Sequence, residues 1–205
     1  MNSPRITVIM ASYLDHYTSG GFEAASNREF KFRRAVNSFL DQTFKSAELI
    51  IVSDGCEKTS KITREKYSNF SAVRLIELPK QPLFSGSVRQ AGLTQSTGEI
   101  VCYLDSDDYF GSTHLEILSG FKDSEYVWCY YDDYIFNGEK KWKRTVEPKA
   151  NRIGTSSICH RRACSFQWAD GYGHDWTSIS HILKEKHYKI DTPDYVVCHL
   201  GKIDA

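Results

Sequence analysis

The residues of this chain best suited to chemistry are three aspartates at the end of an apolar run. Residues 98–104 read Gly-Glu-Ile-Val-Cys-Tyr-Leu, and Asp105, Asp107 and Asp108 follow directly. The β-branched and aromatic residues favour a buried strand, whereas carboxylates this close repel one another and are costly to remove from water. A cation would relieve that repulsion, and Mg²⁺ and Mn²⁺ prefer carboxylate oxygens as ligands. The pattern predicts a divalent metal site that also takes phosphate oxygens from a substrate.

Two other interpretations of this acidic cluster, Asp105 to Asp108, have to be weighed. Acidic residues after a strand often form no more than a solvated turn, and the sequence leaves this alternative open. A calcium loop running from Asp105 to Glu116 would need an acidic or amide residue at its fifth position and glycine at its sixth. Tyr109 and Phe110 occupy those positions, so we set the calcium loop aside.

Alternating strand and helix patterns surround the acidic cluster and must position it. Apolar runs predict strands over residues 6–10, 47–52, 73–78 and 99–104. Apolar residues at helical spacing predict an amphipathic helix over residues 28–42, and Ser85 opens a second predicted helix. This alternation predicts an α/β fold with a mostly parallel central sheet flanked by helices.

Polar residues follow three of the predicted strands. They are Ser12 and Tyr13 after the first, Ser53 and Asp54 after the second, and the acidic cluster after the fourth. Because ligands bind outside the carboxyl ends of the strands in parallel sheets, we expect these groups at one edge. The glycine-rich motifs that bind dinucleotides or triphosphates are absent from the sequence, so the edge is expected to serve another class of ligand.

The second half of the chain adds one more candidate carboxylate. Residues 171–176 read Gly-Tyr-Gly-His-Asp-Trp, and the two glycines predict a tight loop that presents Asp175 at a helix start. A carboxylate there either caps the helix or points at a ligand, and the local sequence leaves both open. Further strands are predicted over residues 153–158 and 195–198, and His199 follows the last of them. Four aromatic residues are candidates either for stacking on sugars or for core packing: Trp142, Trp168, Tyr172 and Trp176.

The composition is that of one globular domain without a strong electric field. The chain has 205 residues, with 26 lysines and arginines and 26 aspartates and glutamates, so its formal net charge is zero. Nucleic acid is therefore not an expected partner. No apolar segment approaches the roughly 20 residues that span a bilayer, and no signal sequence opens the chain. We expect a cytoplasmic protein without a transmembrane segment.

Four segments of the chain resemble the motifs of the family 2 glycosyltransferases, in the family's order and spacing. Residues 6–13 resemble its opening strand, and 48–55 its Val-Asp-Asp-Gly-Ser segment. Residues 87–93 resemble its Ala-Arg-Asn-x-Gly helix, and 98–108 the stretch with the Asp-x-Asp motif. The chain departs from the family pattern at Ser53, where an Asp is usual, and at His174, where a Glu is usual.

The resemblance implies the GT-A fold of nucleotide-diphospho-sugar transferases. It implies a single domain over residues 1–205, with a nucleotide-sugar-binding half at 1–110 and a small acceptor-side half at 111–205. The implied activity is a metal-dependent and inverting transfer of a hexose or N-acetylhexosamine from a nucleotide-sugar, usually a UDP-sugar, to an acceptor hydroxyl. Surface glycan or polysaccharide synthesis would be its setting. The acceptor would be a glycan or a lipid-linked saccharide, which allows a peripheral place at the cytosolic face of a membrane.

The resemblance also implies a role for particular residues. Asp175 would be the general base, and Asp107 and His199 would bind the divalent metal, Mn²⁺ or Mg²⁺. The donor-binding residues would be Ser12, Tyr13, Asp54, Arg89, Asp105 and Ser106. Two alternatives remain: a non-catalytic module that binds a nucleotide-sugar or carbohydrate, and a sugar-phosphate nucleotidylyltransferase. The second normally carries a Gly-rich, Arg-containing loop after its first strand, which this sequence lacks.

Overall fold

A computed structural model describes residues 5–15, 18–19, 22–23, 27–81, 84–123, 125–190 and 194–198. The strands are β1 (Ile6–Ser12), β2 (Thr18–Ser19), β3 (Phe22–Glu23), β4 (Ala47–Asp54), β5 (Val73–Leu78), β6 (Ile100–Tyr103), β7 (Tyr109–Phe110), β8 (Trp128–Tyr131), β9 (Asp133–Phe136), β10 (Lys141–Arg144), β11 (Ile158–Arg161), β12 (His187–Ile190) and β13 (Tyr195–Cys198). The α-helices are α1 (Arg28–Leu40), α2 (Glu57–Tyr67), α3 (Gly86–Thr94), α4 (His114–Ser119) and α5 (His174–Ser180). None of the helices in these ranges is long and apolar enough to cross a membrane.

Strands from both halves of the chain form the central sheet. Its order is β12-β8-β11-β6-β1-β4-β5. β1 pairs in parallel with β4 and with β6, and β4 pairs in parallel with β5. β11 runs antiparallel to β6 and β8, and β12 runs parallel to β8. The prediction of an α/β fold with a mostly parallel central sheet is therefore confirmed.

Both faces of the central sheet are buried, because successive side chains of each strand point to opposite sides. In β4, Leu49 and Ile51 join the core that includes the apolar face of α1. Ile50 and Val52 join the core on the other side, which includes residues of α3 and α5. Strands covered on both faces have continuous apolar sequences, and this is why the runs in the sequence predicted them well.

Helix α3 packs very closely on β1 and β4. A Cβ atom at Gly92 would lie 2.6 Å from Cγ2 of Ile9 and 3.1 Å from Cγ2 of Val52. A larger residue would force the helix away from the sheet. This close packing fixes the first turn of α3, which carries Arg89, beside the carboxyl ends of the strands.

The structure corrects the predicted strand over residues 153–158. A 3₁₀ helix occupies Thr155–Ser157, and β11 begins only at Ile158. The hydroxyl groups of this turn have specific acceptors: Thr155 Oγ1 donates to Asp175 Oδ1 at 2.8 Å, and Ser157 Oγ donates to Asp133 Oδ2 at 2.8 Å. A second sheet of order β10-β9-β13-β7 and helix α2 were not predicted from the sequence.

Candidate active site

The carboxyl ends of β1, β4 and β6 lie side by side. The side of the central sheet formed by these strand ends is here named the carboxyl edge, and the side where the same strands begin is the amino edge. Ser12 and Ser53 are register partners near the ends of β1 and β4. Asp54 is the last residue of β4, and Asp105 follows β6, the other neighbour of β1. The parallel topology thus brings the three predicted polar groups to the same edge.

Asp54 is held at this edge by two donors from the chain. Nζ of Lys80 donates to its Oδ2 at 2.6 Å, and the backbone N–H of Gln81 donates to its Oδ1 at 2.6 Å. Nζ of Lys80 also lies 4.7 Å from the ring centre of Tyr13. Gly55 lets the backbone of Lys80 come close to the end of β4. Its φ is +62°, and a Cβ there would lie 2.4 Å from the backbone nitrogen of Lys80. Each oxygen of Asp54 already accepts one hydrogen bond and keeps a further lone pair for a ligand.

Arg89 joins the two halves of the site. Its Nη2 donates to Asp105 Oδ1 at 2.7 Å, and its Nη1 donates to His174 Nε2 at 2.8 Å. Its Nη1 also lies 3.9 Å from Asp175 Oδ1. Burial alone would lower the pKa of this guanidinium, but the charges of Asp105 and Asp175 outweigh burial and raise it. The guanidinium therefore stays charged and orients both carboxylates.

The ring of His174 has a defined hydrogen-bonding arrangement. Because arginine can only donate, Nε2 of His174 accepts from Arg89. The ring proton then lies on Nδ1, which donates to the carbonyl oxygen of Gly171 at 3.1 Å. Nε2 of His174 thus lies within hydrogen-bonding distance of Arg89 and also 3.1 Å from Asp175 Oδ1.

Asp175 is not the N-cap of α5, so the capping interpretation is wrong. The N-cap residue is Gly173, with φ +73°, and Asp175 is the second residue of the helix. Asp175 Oδ1 accepts from Thr155 Oγ1 at 2.8 Å and lies 3.1 Å from His174 Nε2. Its Oδ2 faces Gly154, where a Cβ would lie 3.5 Å away. One oxygen is anchored by Thr155, and the carboxylate as a whole is partly exposed.

Asp108 is the buried member of the acidic cluster. Its Oδ1 accepts from the backbone N–H of Cys198 at 2.7 Å, and the Tyr195 hydroxyl lies beside it and accepts from the N–H of Asp105 at 2.9 Å. Burial first, and then the charges of Asp107 and Asp105, raise the pKa of Asp108 well above its usual range. A carboxylate with 3% exposure does not belong to a solvated turn. That interpretation is wrong for this residue.

Asp107 is half-buried at the same edge. Burial and the charge of Asp105 raise the pKa of its carboxyl group, and the positive charges of Lys31 and Arg28 offset only part of that rise. The backbone oxygen of Asp107 accepts from Nη2 of Arg34 at 2.9 Å, which fixes the loop. Ionisation of the whole cluster is therefore unfavourable in the protein by itself, and a cation would make it favourable.

The donor set fits a metal that binds together with a substrate. The described ranges contain no group of three or more His, Cys, Asp or Glu side chains that could hold a metal ion by themselves. Mg²⁺, however, is commonly held by one or two carboxylates while water and substrate phosphates complete its shell. Asp107 suits that arrangement. His199, the other predicted ligand, lies outside the described residues.

Two predicted donor-binding serines differ in exposure. Ser12 is buried, and its hydroxyl shares a hydrogen bond of 3.1 Å with Thr59 of α2, so it lies beneath the carboxyl edge. Ser106 is partly exposed between Asp105 and Asp107. Their binding roles stay predictions.

Sequence reasoning missed several residues that complete the site. Lys80, Thr155 and Phe84 contact Asp54, Asp175 and His174 respectively. No local signal could have found these contacts, because the partners lie 26, 20 and 90 residues apart in the chain. Of the four aromatic candidates, Trp168 is buried beneath the Arg89 guanidinium at 5.1 Å, whereas Tyr172 is 91% exposed.

Comparisons with known proteins agree on a family and a fold. A model of the family described as glycosyl transferase family 2 matches residues 24–191. The cholesterol galactosyltransferase of Borreliella burgdorferi is 35% identical over 98 residues, which make up 47% of this chain and 26% of that protein. The curated relatives are longer, since the match to the Bacillus subtilis protein EpsH also spans only 35% of its length.

Two solved structures share the fold at low sequence identity. Staphylococcus aureus TarS 1-349 in complex with UDP-GlcNAc has a TM-score of 0.74 and 17% identity, covering 98% of this chain and 60% of that one. The mannosyltransferase PcManGT from Pyrobaculum calidifontis, in complex with GDP-Man and Mn²⁺, has a TM-score of 0.65 and 12% identity. That match covers 96% of this chain and 57% of PcManGT. Both likenesses support the GT-A fold expected from the sequence.

Proposed function

Because the chain belongs to the family 2 glycosyltransferases, we propose that it transfers a sugar from a UDP-sugar to an acceptor hydroxyl. The sugar is a hexose or an N-acetylhexosamine, and the product belongs to a surface glycan or polysaccharide. The UDP-GlcNAc bound to TarS supports the choice of donor class. The acceptor is a glycan or a lipid-linked saccharide.

The observation that carries this proposal is the double contact of Arg89. One buried guanidinium holds Asp105, at the end of a donor-side strand, and His174, directly before the proposed base. The carboxylates of Asp105 and Asp175 therefore both lie within 4 Å of the same guanidinium. A transferase must hold the attacking hydroxyl close to the anomeric carbon of the donor, so its donor-binding groups and its base must be neighbours.

On the donor side, Tyr13, Asp54 and Lys80 would bind the base. The Asp54 carboxylate can accept the imide N–H of uracil, and the hydrogen bond from Lys80 orients that carboxylate. Asp105 and Ser106 would lie at the ribose. Asp107, with His199, would hold Mn²⁺ or Mg²⁺, which when bound neutralises the charge of the leaving diphosphate. The Mn²⁺ in the PcManGT complex supports this cofactor class.

On the acceptor side, Asp175 would act as general base. Its Oδ1 is held by Thr155, which leaves Oδ2 to accept the proton of the attacking hydroxyl. As the new glycosidic bond forms at the anomeric carbon, the bond to the diphosphate oxygen breaks and UDP leaves. Attack from the face opposite the leaving group inverts the anomeric centre. The contact with His174 Nε2 would hold Arg89 in place beside the base.

Calorimetric titration with UDP tests the donor half of this proposal. We expect UDP to bind in the presence of Mn²⁺ or Mg²⁺, and to lose most of its affinity in a chelator. GDP and CDP should bind more weakly than UDP. A Glu65→Gln variant, changed at an exposed position of α2, is the control for nonspecific charge effects. Failure of UDP to bind under any of these conditions contradicts the proposal.

Release of UDP from UDP-sugars tests the catalytic half. UDP should appear faster when a saccharide acceptor is added, and a coupled assay measures that rate. Metal-dependent UDP binding without UDP release, across a panel of UDP-sugars and acceptors, would instead identify a non-catalytic binding module.

A further inference from the structure

Two exposed aromatic rings stand together at the mouth of the site. Phe84 is 38% exposed and Tyr172 is 91% exposed. Their ring centres lie 6.3 Å apart with an angle of 70° between the planes, an edge-to-face pair. A single exposed aromatic residue is ordinary on a protein surface, but two in contact beside the groups of a candidate active site are not.

The backbone at both rings is unusual and holds them outward. Phe84 has a φ of +68°, a left-handed conformation that is uncommon and strained for a residue with a bulky side chain. Tyr172 lies between Gly171 and Gly173, whose φ angles are +95° and +73°. Strained backbone persists only where the surrounding structure enforces it, and it is concentrated at ligand sites.

Two further contacts anchor the segments that carry the rings to each other. A Cβ atom at Gly86 would lie 1.9 Å from the carbonyl oxygen of Ala169, so only glycine permits this approach. The backbone N–H of Ser87 donates to Asp170 Oδ1 at 2.7 Å. The start of α3 and the loop before α5 are thus joined, and the aromatic pair is positioned by the scaffold.

The pair is continuous with the catalytic groups. The ring centres of Phe84 and His174 are 6.2 Å apart, and His174 Nε2 lies 3.1 Å from Asp175 Oδ1. A molecule resting on Phe84 and Tyr172 would therefore border the proposed base. We place the pair on the acceptor side because Phe84 contacts His174, the residue directly before the proposed base.

We propose that Phe84 and Tyr172 form a platform for the pyranose ring of the acceptor, with the attacking hydroxyl directed toward Asp175. This inference rests on the proposed function and adds an acceptor class to it. A pyranose has a rigid face of C–H groups that packs on an aromatic ring while its hydroxyls stay at the rim. A linear polyol has no fixed apolar face, so this platform selects ring sugars over open-chain alcohols.

Saturation-transfer NMR on the protein with UDP and Mg²⁺ tests the platform. The probes are the methyl β-glycosides of glucose, galactose and N-acetylglucosamine, with ribitol as the open-chain comparison. We expect saturation transfer to the C–H protons of at least one pyranoside, and weaker transfer to ribitol. Tyr172→Ala should weaken the affinity for that pyranoside by about three- to tenfold, the usual loss for one aromatic contact.

Two other variants complete the experiment. Phe84→Asn removes the second ring and retains a residue that tolerates the left-handed backbone, and it should weaken pyranoside binding to a similar extent. Phe70→Ala is the matched control, because Phe70 is also an exposed aromatic residue, at 45%, and also contacts a second ring, that of Tyr67. Phe70 precedes β5 at the amino edge of the sheet, and its backbone is not left-handed. It should leave pyranoside binding unchanged.

The possible outcomes separate this inference from its premise. UDP affinity should be the same in Tyr172→Ala and in Phe70→Ala, since neither variant changes a residue of the proposed donor site. Pyranoside binding that survives both Tyr172→Ala and Phe84→Asn, or an absence of saturation transfer to every pyranoside while UDP binds, overturns the platform and leaves the proposed donor chemistry standing. If UDP itself does not bind, the proposed function fails and the platform fails with it.

Discussion

Buried carboxyl groups have pKa values shifted in opposite directions at the amino edge and the carboxyl edge of the central sheet. At the amino edge, where the parallel strands begin, Glu48 is buried and fully engaged. Thr7 Oγ1 and Thr97 Oγ1 each donate to its Oε1 at 2.7 Å, and Arg74 Nη1 donates to its Oε2 at 2.9 Å. Burial by itself raises the pKa of Glu48, but the hydrogen bonds from Thr97, Arg74 and Thr7 outweigh it and leave that pKa lowered.

At the carboxyl edge the balance is reversed. The pKa values of Asp107 and Asp108 are raised, because burial and mutual repulsion exceed what the neighbouring cations and donors supply. The same chain thus stabilises the ionised form of a buried carboxylate at one edge and leaves the ionised forms of two carboxylates disfavoured at the other. Carboxyl groups with perturbed pKa values are concentrated at functional sites, where a bound cation can stabilise their ionised forms.

The largest expected effect concerns Asp175, the one site carboxylate supplied by a helix. Asp175→Asn keeps the shape of the side chain and its bond from Thr155 but removes the proton acceptor. Turnover in the UDP-release assay with acceptor should fall by about 10²- to 10⁴-fold, while UDP affinity and melting temperature stay near those of the wild type. Since Gly173 is the N-cap, no loss of a helix cap confuses the result. A variant with near wild-type turnover would leave the reaction without its base.

Asp107→Asn tests the carboxyl edge directly. Removing a charge from a repulsive cluster should not lower the melting temperature of the metal-free protein, and it should weaken metal-supported UDP binding by at least about tenfold. Calorimetry with Mn²⁺ measures the second effect, and thermal unfolding measures the first. Unchanged UDP affinity would mean that Asp107 does not bind the metal. A large drop in melting temperature would mean that Asp107 stabilises the fold, as Glu48 does.

Glu48→Gln is the matching experiment at the amino edge. Glutamine cannot accept every bond that the carboxylate accepts, so the free energy of unfolding should fall by about 1–3 kcal/mol at neutral pH, with UDP binding unchanged. A carboxyl group with a lowered pKa stabilises the fold above its ordinary value of 4.5, and that contribution is lost as pH falls through the native value. The difference between wild type and variant should therefore shrink in acid. Denaturant unfolding at several pH values measures it, and a difference that grows in acid would contradict the assignment.

The sequence predicted best the strands of the central sheet, whose apolar runs reflect burial on both faces. β5 begins and ends where its apolar run does, and β1, β4 and β6 differ from prediction by only a few residues. Their strand ends located the candidate carboxylates as well, because parallel topology fixes which edge they share. Helix α2 escaped prediction because its sequence, Glu-Lys-Thr-Ser-Lys-Ile-Thr-Arg-Glu-Lys-Tyr, has few apolar residues to show a period.

The parts that the sequence did not predict depend on partners that are distant in the chain. The 3₁₀ turn Thr155–Ser157 replaces a strand because its hydroxyls bind Asp133 and Asp175. The contact of Arg89 with His174 joins residues 85 positions apart, and the aromatic pair depends on a left-handed Phe84 that no propensity favours. Residue types indicated a site, but only the tertiary structure shows which carboxylate has which partner.

The smallest expected effect concerns Asp54, which combines features of Glu48 and Asp107. Like Glu48 it has chain partners, Lys80 and Gln81, and like Asp107 it lies at the carboxyl edge. If it also accepts the imide N–H of uracil, Asp54→Ala should reduce the preference for UDP over CDP by about two- to tenfold, the loss of one hydrogen bond that only uracil donates. Lys80→Met, which keeps the carboxylate, should retain that preference even if it weakens both nucleotides, and competition calorimetry with UDP and CDP measures each ratio. Equal selectivity in wild type and Asp54→Ala would assign Asp54 to the structural class of Glu48, as a residue that fixes the chain around Lys80. A preference lost in Lys80→Met but kept in Asp54→Ala would instead transfer base recognition to the ammonium and the Tyr13 ring that it faces.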